Sequence, residues 1–302
     1  MIRGIRSVAI GFTALDAAAD FFEQVWHLDR VGSQPDAVYL RGTGPYHHIL
    51  ALHRRPSSGI LRIVFDVEGR EGIDRLYSAI CKSGCANVEA PGSIGAPGGG
   101  YGFGCLDPEG RGLAFVTDVS DHLDQGPLAD RVRKITHVNL NSGEADQSLS
   151  FFAEILGFRL VDESIFRFLR CGSPDHHSIV LAKAPDATLN HIAFEMPDLD
   201  SVMRGAGRMR DNGYPIEWGV GRHGAGNNVF AYFAGPEEIP IEYTAEVLQV
   251  DDSYVSHGPE YWRFPPGRSD QWGVTSPRSA RLHRIQQLYR FDPKGYCVTD
   301  ND

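Results

Sequence analysis

The chain has 302 residues, of which 42% are hydrophobic and 23% charged, and it carries a net charge of −10 at pH 7. This suits a globular protein of one large or two medium domains, with chain enough to bury a sizeable core. The acidic balance argues against nucleic acid or an anionic membrane as partner, since neither attracts a negative surface. The opening "MIRGIRSVAIGFTALDAAADFF" has no apolar core or cleavage site of a signal peptide, and no apolar run approaches the ~20 residues that span a bilayer. A cytoplasmic protein is expected. Cys81, Cys85, Cys105, Cys171 and Cys297 are odd in number and form no C-x-x-C pair, so they read as reduced, mostly buried thiols.

In chain order, "IRSVAIGFTALDAAADFFEQVWHLDRV" from Ile5 returns from Ile135 as "ITHVNLNSGEADQSLSFFAEILGFRLV", matching at Ile5, Val8, Asp16, Phe21, Phe22 and Val31. "HHILAL" from His47 returns as "HHSIVL" from His176, and "LRIVFDV" from Leu61 as "LNHIAFEM" from Leu189. "DPEGRGLAFVTD" from Asp107 returns as "GPEEIPIEYTAE" from Gly235. A nearly constant offset over half the chain is the signature of an internal duplication. Each half divides again into two units of strand, helix and three strands. "ITHVNLN" alternates as a strand, and "DQSLSFFAEIL" puts Leu149, Phe152, Ala153 and Leu156 on one helical stripe. "FRFLRC" and "HHSIVLA" return to period two. "LNHIAFEM" is a strand, "DLDSVMRGAGRMRDNG" a helix closed by Gly213, and "NNVFAYF" and "IPIEYTA" are strands. The expected fold class is α+β, four βαβββ modules paired into two similar domains, 1–120 and 133–250, followed by an extension over 251–302. The glycine cluster "GAPGGGYGFG" lacks the Lys-Ser/Thr ending and following helix of a phosphate loop, and reads as a flexible connection.

Aligned copies act as an internal control. A lone histidine on an inward strand face, such as His191, is most often a satisfied core residue. Here His137 aligns with Ser7, His191 with Arg62 and Glu242 with Ala114, so three metal-ligand types occur in one copy and none in the other. Core residues demanded by the architecture would recur in both. Two imidazoles and a carboxylate that converge leave about three open positions on a metal, the facial arrangement of non-haem Fe(II) oxygenases. His223 and Tyr232 are also confined to the second half, aligning with Gly95 and Gly104. The His176–His177 pair is not, since His47–His48 repeats it; alternation with Ile179 and Leu181 favours His177 as the inward member.

Together, "ITHVNL", "FFAEILGF", "DHHS", "NHIAFE", "GRHGAGNNVFAYF" and "IEYTAE", in that order and spacing, resemble the two-domain type I extradiol ring-cleavage dioxygenases of the vicinal oxygen chelate superfamily, over nearly the whole chain. The resemblance implies ring cleavage of a catecholic aromatic with O2 at a mononuclear non-haem Fe(II), in the catabolism of aromatic hydrocarbons. Mn(II) satisfies the same donors. It further implies that His137, His191 and Glu242 bind the metal, that His177 is the acid–base group, and that His223 and Tyr232 hydrogen-bond the substrate and oxygen side. A homo-oligomer is expected, with a small-molecule substrate and O2 as its partners. Two features depart from the pattern: "GPEEIPIEY" lacks the D-P-x-G turn before the glutamate, and "RHGAGNN" is unusually small around His223. In the extension, Tyr254, His257, Trp262 and Trp272 fit either a pocket wall or surface packing. The competing readings are a glyoxalase-like metal-dependent isomerase and a metal-free small-molecule binding protein of the same fold.

Overall fold

The computed structural model describes residues 1–299; positions 300–302, the end of the expected extension, lie outside the described residues. The first half forms β1 (Ile2–Phe12), β2 (Asp29–Gln34), β3 (Ala37–Arg41), β4 (Leu50–Arg54), β5 (Gly59–Val67), β6 (Gly92–Ser93), β7 (Tyr101–Leu106) and β8 (Gly112–Thr117). The second repeats the series as β9 (Ile135–Ser142), β10 (Arg159–Glu163), β11 (Phe166–Arg170), β12 (Ile179–Lys183), β13 (Leu189–Glu195), β14 (Trp218–Arg222), β15 (Val229–Ala234) and β16 (Pro240–Ala245). Helices α1 (Leu15–Asp20), α2 (Gly69–Ser83), α3 (Ala145–Ser150) and α4 (Leu199–Asp211) each follow the first strand of a module, and α5 (Ala280–Leu288) lies in the extension.

Two mixed eight-stranded sheets result, ordered β2-β3-β4-β1-β5-β8-β7-β6 and β10-β11-β12-β9-β13-β16-β15-β14. In each module the first strand runs parallel to the last, and the two first strands of a half pair antiparallel. This is the expected fold of four βαβββ modules in two pairs. The registers reproduce the internal alignment: Ser7 faces Val64 as His137 faces Ala193, and Ala114 pairs with Val64 as Glu242 pairs with Ala193. One equivalence shifts. Ser93 and Arg222 occupy matching ladder positions, so Ile94 rather than Gly95 is the counterpart of His223.

The helical stripe expected over "DQSLSFFAEIL" is only partly right. A π-helical turn over Phe151–Ile155 continues α3, as one over Phe21–Val25 continues α1. Such a turn inserts one residue and rotates the face beyond it, so Phe151 and Phe152 are both buried while Leu149 and Ala153 stay partly exposed. Helix α4 ends as expected: the Gly213 N–H donates to the Arg210 carbonyl and the Tyr214 N–H to the Met209 carbonyl, satisfying two otherwise orphaned acceptors. The glycine cluster is not a loose connection. Gly98 and Gly100 have φ of 95° and 114°, and a Cβ on Gly100 would come within 2.7 Å of the Thr117 carbonyl oxygen, so packing demands glycine there. The thiols also differ from expectation, because only Cys105 is buried; Cys81 on α2 and Cys297 in the extension are exposed, on elements that touch the core with one face only. All five are free.

The halves hold each other reciprocally. Glu109, in the turn between β7 and β8, accepts the N–H groups of Gly143 (2.7 Å) and Glu144 (3.1 Å) and the Ser142 and Ser148 hydroxyls, at the start of α3 in the other half. Glu237, in the turn between β15 and β16, likewise accepts the N–H groups of Thr13 (3.1 Å) and Ala14 (2.7 Å) and the Thr13 hydroxyl at the start of α1, and the Ser58 hydroxyl just before β5. The second turn thus keeps this role although it lacks the aspartate and glycine of "DPEG". In the core, Trp26 stacks on Tyr243 with ring centroids 3.7 Å apart, binding the first half to the strand that carries Glu242. No helix is long and apolar enough to cross a membrane among the described residues.

Candidate active site

Strands β9, β13 and β16 are adjacent in the second sheet, and alternation turns one side chain of each to the same face. His137, His191 and Glu242 meet there, all buried. His191 Nε2 lies 2.9 Å and His137 Nε2 3.5 Å from Glu242 Oε2, and the two Nε2 atoms are 3.1 Å apart. The ring nitrogens turned away are committed elsewhere. His191 Nδ1 is 2.9 Å from Asn190 Oδ1, an acceptor, and so carries the proton. His137 Nδ1 is 3.2 Å from the Thr136 hydroxyl, whose own hydrogen is directed at the Ala193 carbonyl. Both Nε2 atoms are therefore left with a bare lone pair, the tautomer a metal requires. Glu242 Oε2 is buried and receives no well-directed hydrogen bond. Two bare nitrogens and an orphaned carboxylate oxygen, within 4.8 Å of one another, fit a divalent metal.

A cavity of about 530 Å³ opens onto His137 and His191. Phe166, Phe168, Val180 and Trp262 supply apolar wall, and His177, His223, Tyr232 and Trp218 also line it. His177 sits against the metal-ligand candidate His137, ring centroids 4.3 Å apart. It is not on a strand, since β12 begins at Ile179, so the period-two alternation expected through His177 starts only two residues later. Both histidines of the pair are buried, but only His177 lines the cavity. Gly226 lets it do so: φ is 80°, and a Cβ there would come within 2.8 Å of His177 Cε1. Tyr232, paired across the strands with Glu242, has its hydroxyl 3.0 Å from His223 Nε2. Burial, reinforced by the Glu242 charge, pushes the Tyr232 phenol well above its ordinary range, so it keeps its proton. Burial lowers His223 to about 4.

The extension divides into distinct parts. Trp262 is pocket wall. Tyr254 and the His257 backbone N–H both donate to Asp162, at 2.9 and 2.7 Å, and anchor the segment. Trp272 packs under the Arg222 guanidinium, 5.1 Å from ring centroid to carbon, away from the cavity lining. Sequence reasoning misses Asn190, Asn228, Trp218 and Gln286. Asn190 lines the cavity beside His191 because the β9–β13 ladder slips between Leu189 and His191, a bulge that turns neighbouring side chains the same way. Asn228 donates to Thr244 Oγ1 at 2.8 Å and reaches Glu242 Oε1 at 3.4 Å; its one visible signal is the "NN" preceding β15.

In the first half the equivalent space is filled. Arg62 donates to Glu89 (2.7 Å) and to the carbonyls of Cys105 (2.7 Å) and Tyr296 (2.9 Å). Glu89 also presses against Gly104, the counterpart of Tyr232, where a Cβ would lie 2.4 Å from its carboxylate.

Comparison with known proteins places this geometry. Residues 134–243 match the family model of the Glyoxalase/Bleomycin resistance protein/Dioxygenase superfamily. Metapyrocatechase 2 of Cupriavidus necator is 35% identical over 152 residues, 48% of this chain and 46% of its own, so the aligned stretch spans less than half of that relative. Metapyrocatechase of Geobacillus stearothermophilus is 23% identical over 88% of each chain. Homoprotocatechuate 2,3-dioxygenase from Arthrobacter globiformis shares the fold, with a TM-score of 0.85 at 19% identity over 98% of this chain and 94% of its own. The Mn(II)-bound glyoxalase from Novosphingobium aromaticivorans superposes with a TM-score of 0.85 at 33% identity, over 93% of both chains. With that identity sustained over nearly the full length, and the family model matched across the half that holds the trio, the chain belongs to the glyoxalase/bleomycin resistance protein/dioxygenase superfamily.

Proposed function

We propose that this protein is an extradiol dioxygenase that opens the ring of a catecholic aromatic beside its vicinal diol. The observation that carries the reading is the meeting of three buried donors, with their free side turned to an aromatic-walled cavity that also holds His177, His223 and Tyr232. Fe(II), held by His137, His191 and Glu242, is the proposed metal, with Mn(II) the alternative that the same donors accept. When bound, the metal would supply the Lewis acidity and redox capacity that reaction of a catechol with O2 needs. The chain's own residues do the rest. His177 takes a proton from the diol and returns one as the ring opens, work suited to an imidazole neutral at pH 7. Tyr232, kept protonated, and His223 hold the oxygens of the substrate in place, and Phe166, Phe168 and Trp262 clamp its ring and displace water. The metapyrocatechase relatives support this reaction class.

The glyoxalase-like isomerase is the second reading, favoured by the Novosphingobium aromaticivorans neighbour. The two diverge in oxygen use. Protein loaded anaerobically with Fe(II) and given mono- and bicyclic catechols plus air is expected to consume one O2 per diol, forming a yellow hydroxy-semialdehyde or hydroxy-dienoate that retains both oxygen atoms. Conversion of a 2-oxoaldehyde hemithioacetal, with no oxygen uptake on any catechol, would replace this reading by the isomerase. A cis,cis-muconate product would indicate cleavage between the hydroxyls instead. His177→Phe is expected to retain the metal and slow turnover roughly 10²–10⁴-fold, the usual loss of an acid–base group. The same proposal covers two domains, 1–120 and 133–250, and a homo-oligomer, for which a monomer mass by light scattering would be contrary evidence.

A further inference from the structure

Behind His177 lies a buried chain of polar groups that the reaction does not require to be there. His176 Nδ1 is 3.0 Å from His177 Nδ1, and His176 Nε2 is 2.7 Å from Asp162 Oδ2. Neither the His176 nor the Asp162 side chain has any exposed surface. Asp162 is a bulge residue: the β10–β11 ladder slips between Leu160 and Asp162, which turns the carboxylate inward beneath the histidine pair. Its two oxygens also accept the Tyr254 hydroxyl and the His257 N–H.

The duplication shows which part of this chain is special. His47 and His48 repeat the paired histidines, their Nδ1 atoms 3.1 Å apart, and the β2–β3 ladder carries the same slip between Arg30 and Gly32. The bulge position holds Gly32 in that half, so the counterpart of the Asp162 carboxylate is missing behind His47. The histidine pair belongs to the architecture; the carboxylate occurs only in the half with the metal-ligand trio.

We infer that Asp162 is a positioning residue which, acting through His176, fixes His177 as the tautomer with a bare Nε2 toward the cavity. A carboxylate flanked by other donors can only accept, so His176 must present Nε2–H to it. His176 Nδ1 is then bare and must accept from His177 Nδ1–H. His177 is left with its lone pair on Nε2, ready to take a proton from a bound diol. Burial would raise the Asp162 pKa, but the hydrogen bonds from His176, His257 and Tyr254 outweigh it and keep the carboxylate ionised. An amide at this position would invert the order: its N–H donates to His176 Nε2, His176 donates Nδ1–H onward, and His177 ends with Nε2–H, already occupied. A carboxylate that holds a catalytic imidazole in its working tautomer is worth up to ~10⁴ in rate in other enzymes.

This inference rests on the proposed role of His177, but its principal test needs no substrate. Nitrogen-15 NMR of the histidine side chains in metal-free protein is expected to show His177 with a protonated Nδ1 and a pyridine-like Nε2, and Asp162→Asn to exchange them. In the metal-loaded enzyme, D162N is expected to lower kcat roughly 10²–10⁴-fold, with KM and bound metal changed less than about threefold, while Tyr254→Phe, which removes one donor without altering the order, keeps the wild-type tautomer. Wild-type His177 protonated on Nε2 would overturn the inference even if D162N failed to fold, as would an unchanged tautomer in D162N. Absence of turnover on every catechol would sink the proposed reaction and leave the tautomer result standing.

Discussion

At the scale of single residues, the proposed metal-ligand trio depends on side chains outside the trio itself. Nothing intrinsic to an imidazole decides which nitrogen bears the proton; Asn190 decides it for His191 by offering only a carbonyl oxygen to Nδ1. Asn190 is itself held. Gln286 donates to that same oxygen at 2.9 Å, and the Asn190 amide donates to Asn141 at 3.0 Å. Asn190→Ala leaves the His191 ring free to take either tautomer or to turn, so divalent-metal affinity should fall roughly 10–100-fold, the usual effect of losing such a partner. Competition with a chromophoric chelator measures it, and an unchanged affinity would mean that strand packing alone orients the ring. Gln286 comes from α5, so this support originates in the extension, outside the repeated modules.

Among elements, the part legible in the sequence is the part governed by regular periods. Alternation and the 3.6-residue stripe suffice for the four βαβββ modules and for the end of α4, and the contrast between His137, His191, Glu242 and Ser7, Arg62, Ala114 suffices for the trio. What escapes is each one-residue insertion: the π turns at Phe21 and Phe151, and the bulges that aim Asn190 and Asp162. These change the face a residue occupies without changing composition, and several residue types at such positions would serve the backbone equally well. The reciprocal clasps escape for another reason, since "PE" in a turn says nothing of the helix it meets in the other half. Their contribution should appear in acid. Burial raises the pKa of Glu109, but hydroxyl donors from Ser142 and Ser148, the Arg111 charge and the Glu144 N–H together bring it from an ordinary 4.5 down to about 2. A carboxylate depressed in the folded state stabilises the protein fully above its unfolded pKa, and loses that contribution as pH falls through the folded value. Wild type should therefore exceed Glu109→Gln in melting temperature at pH 6, and the gap should close between about pH 4.5 and 2. A gap independent of pH would show that shape, not charge, makes this clasp.

For the molecule as a whole, duplication has produced two similar frames with opposite use of the same interior position. In the second half it is kept polar, concave and aromatic-walled. In the first it is plugged by the Arg62–Glu89 pair, whose side chains are only 5% and 10% exposed, and the plug is sealed by the extension through the Tyr296 carbonyl and the N–H groups of Val298 and Thr299. On the proposed function, a plug of this kind makes the first half a support, joined to its partner through contacts such as Trp26 on Tyr243. Arg62→Ala would strand a buried carboxylate, an event that costs about 3–5 kcal/mol when the remaining partners do not move. The expected result is a lower melting temperature and easier proteolysis of the extension beyond Tyr296, with one metal still bound per chain at unchanged affinity. Ser7 and Ala114 supply no ligands, so opening the plug creates no second site. A second equivalent of metal in Arg62→Ala, or loss of the first while the protein stays folded, would show that the two halves are not divided between support and chemistry.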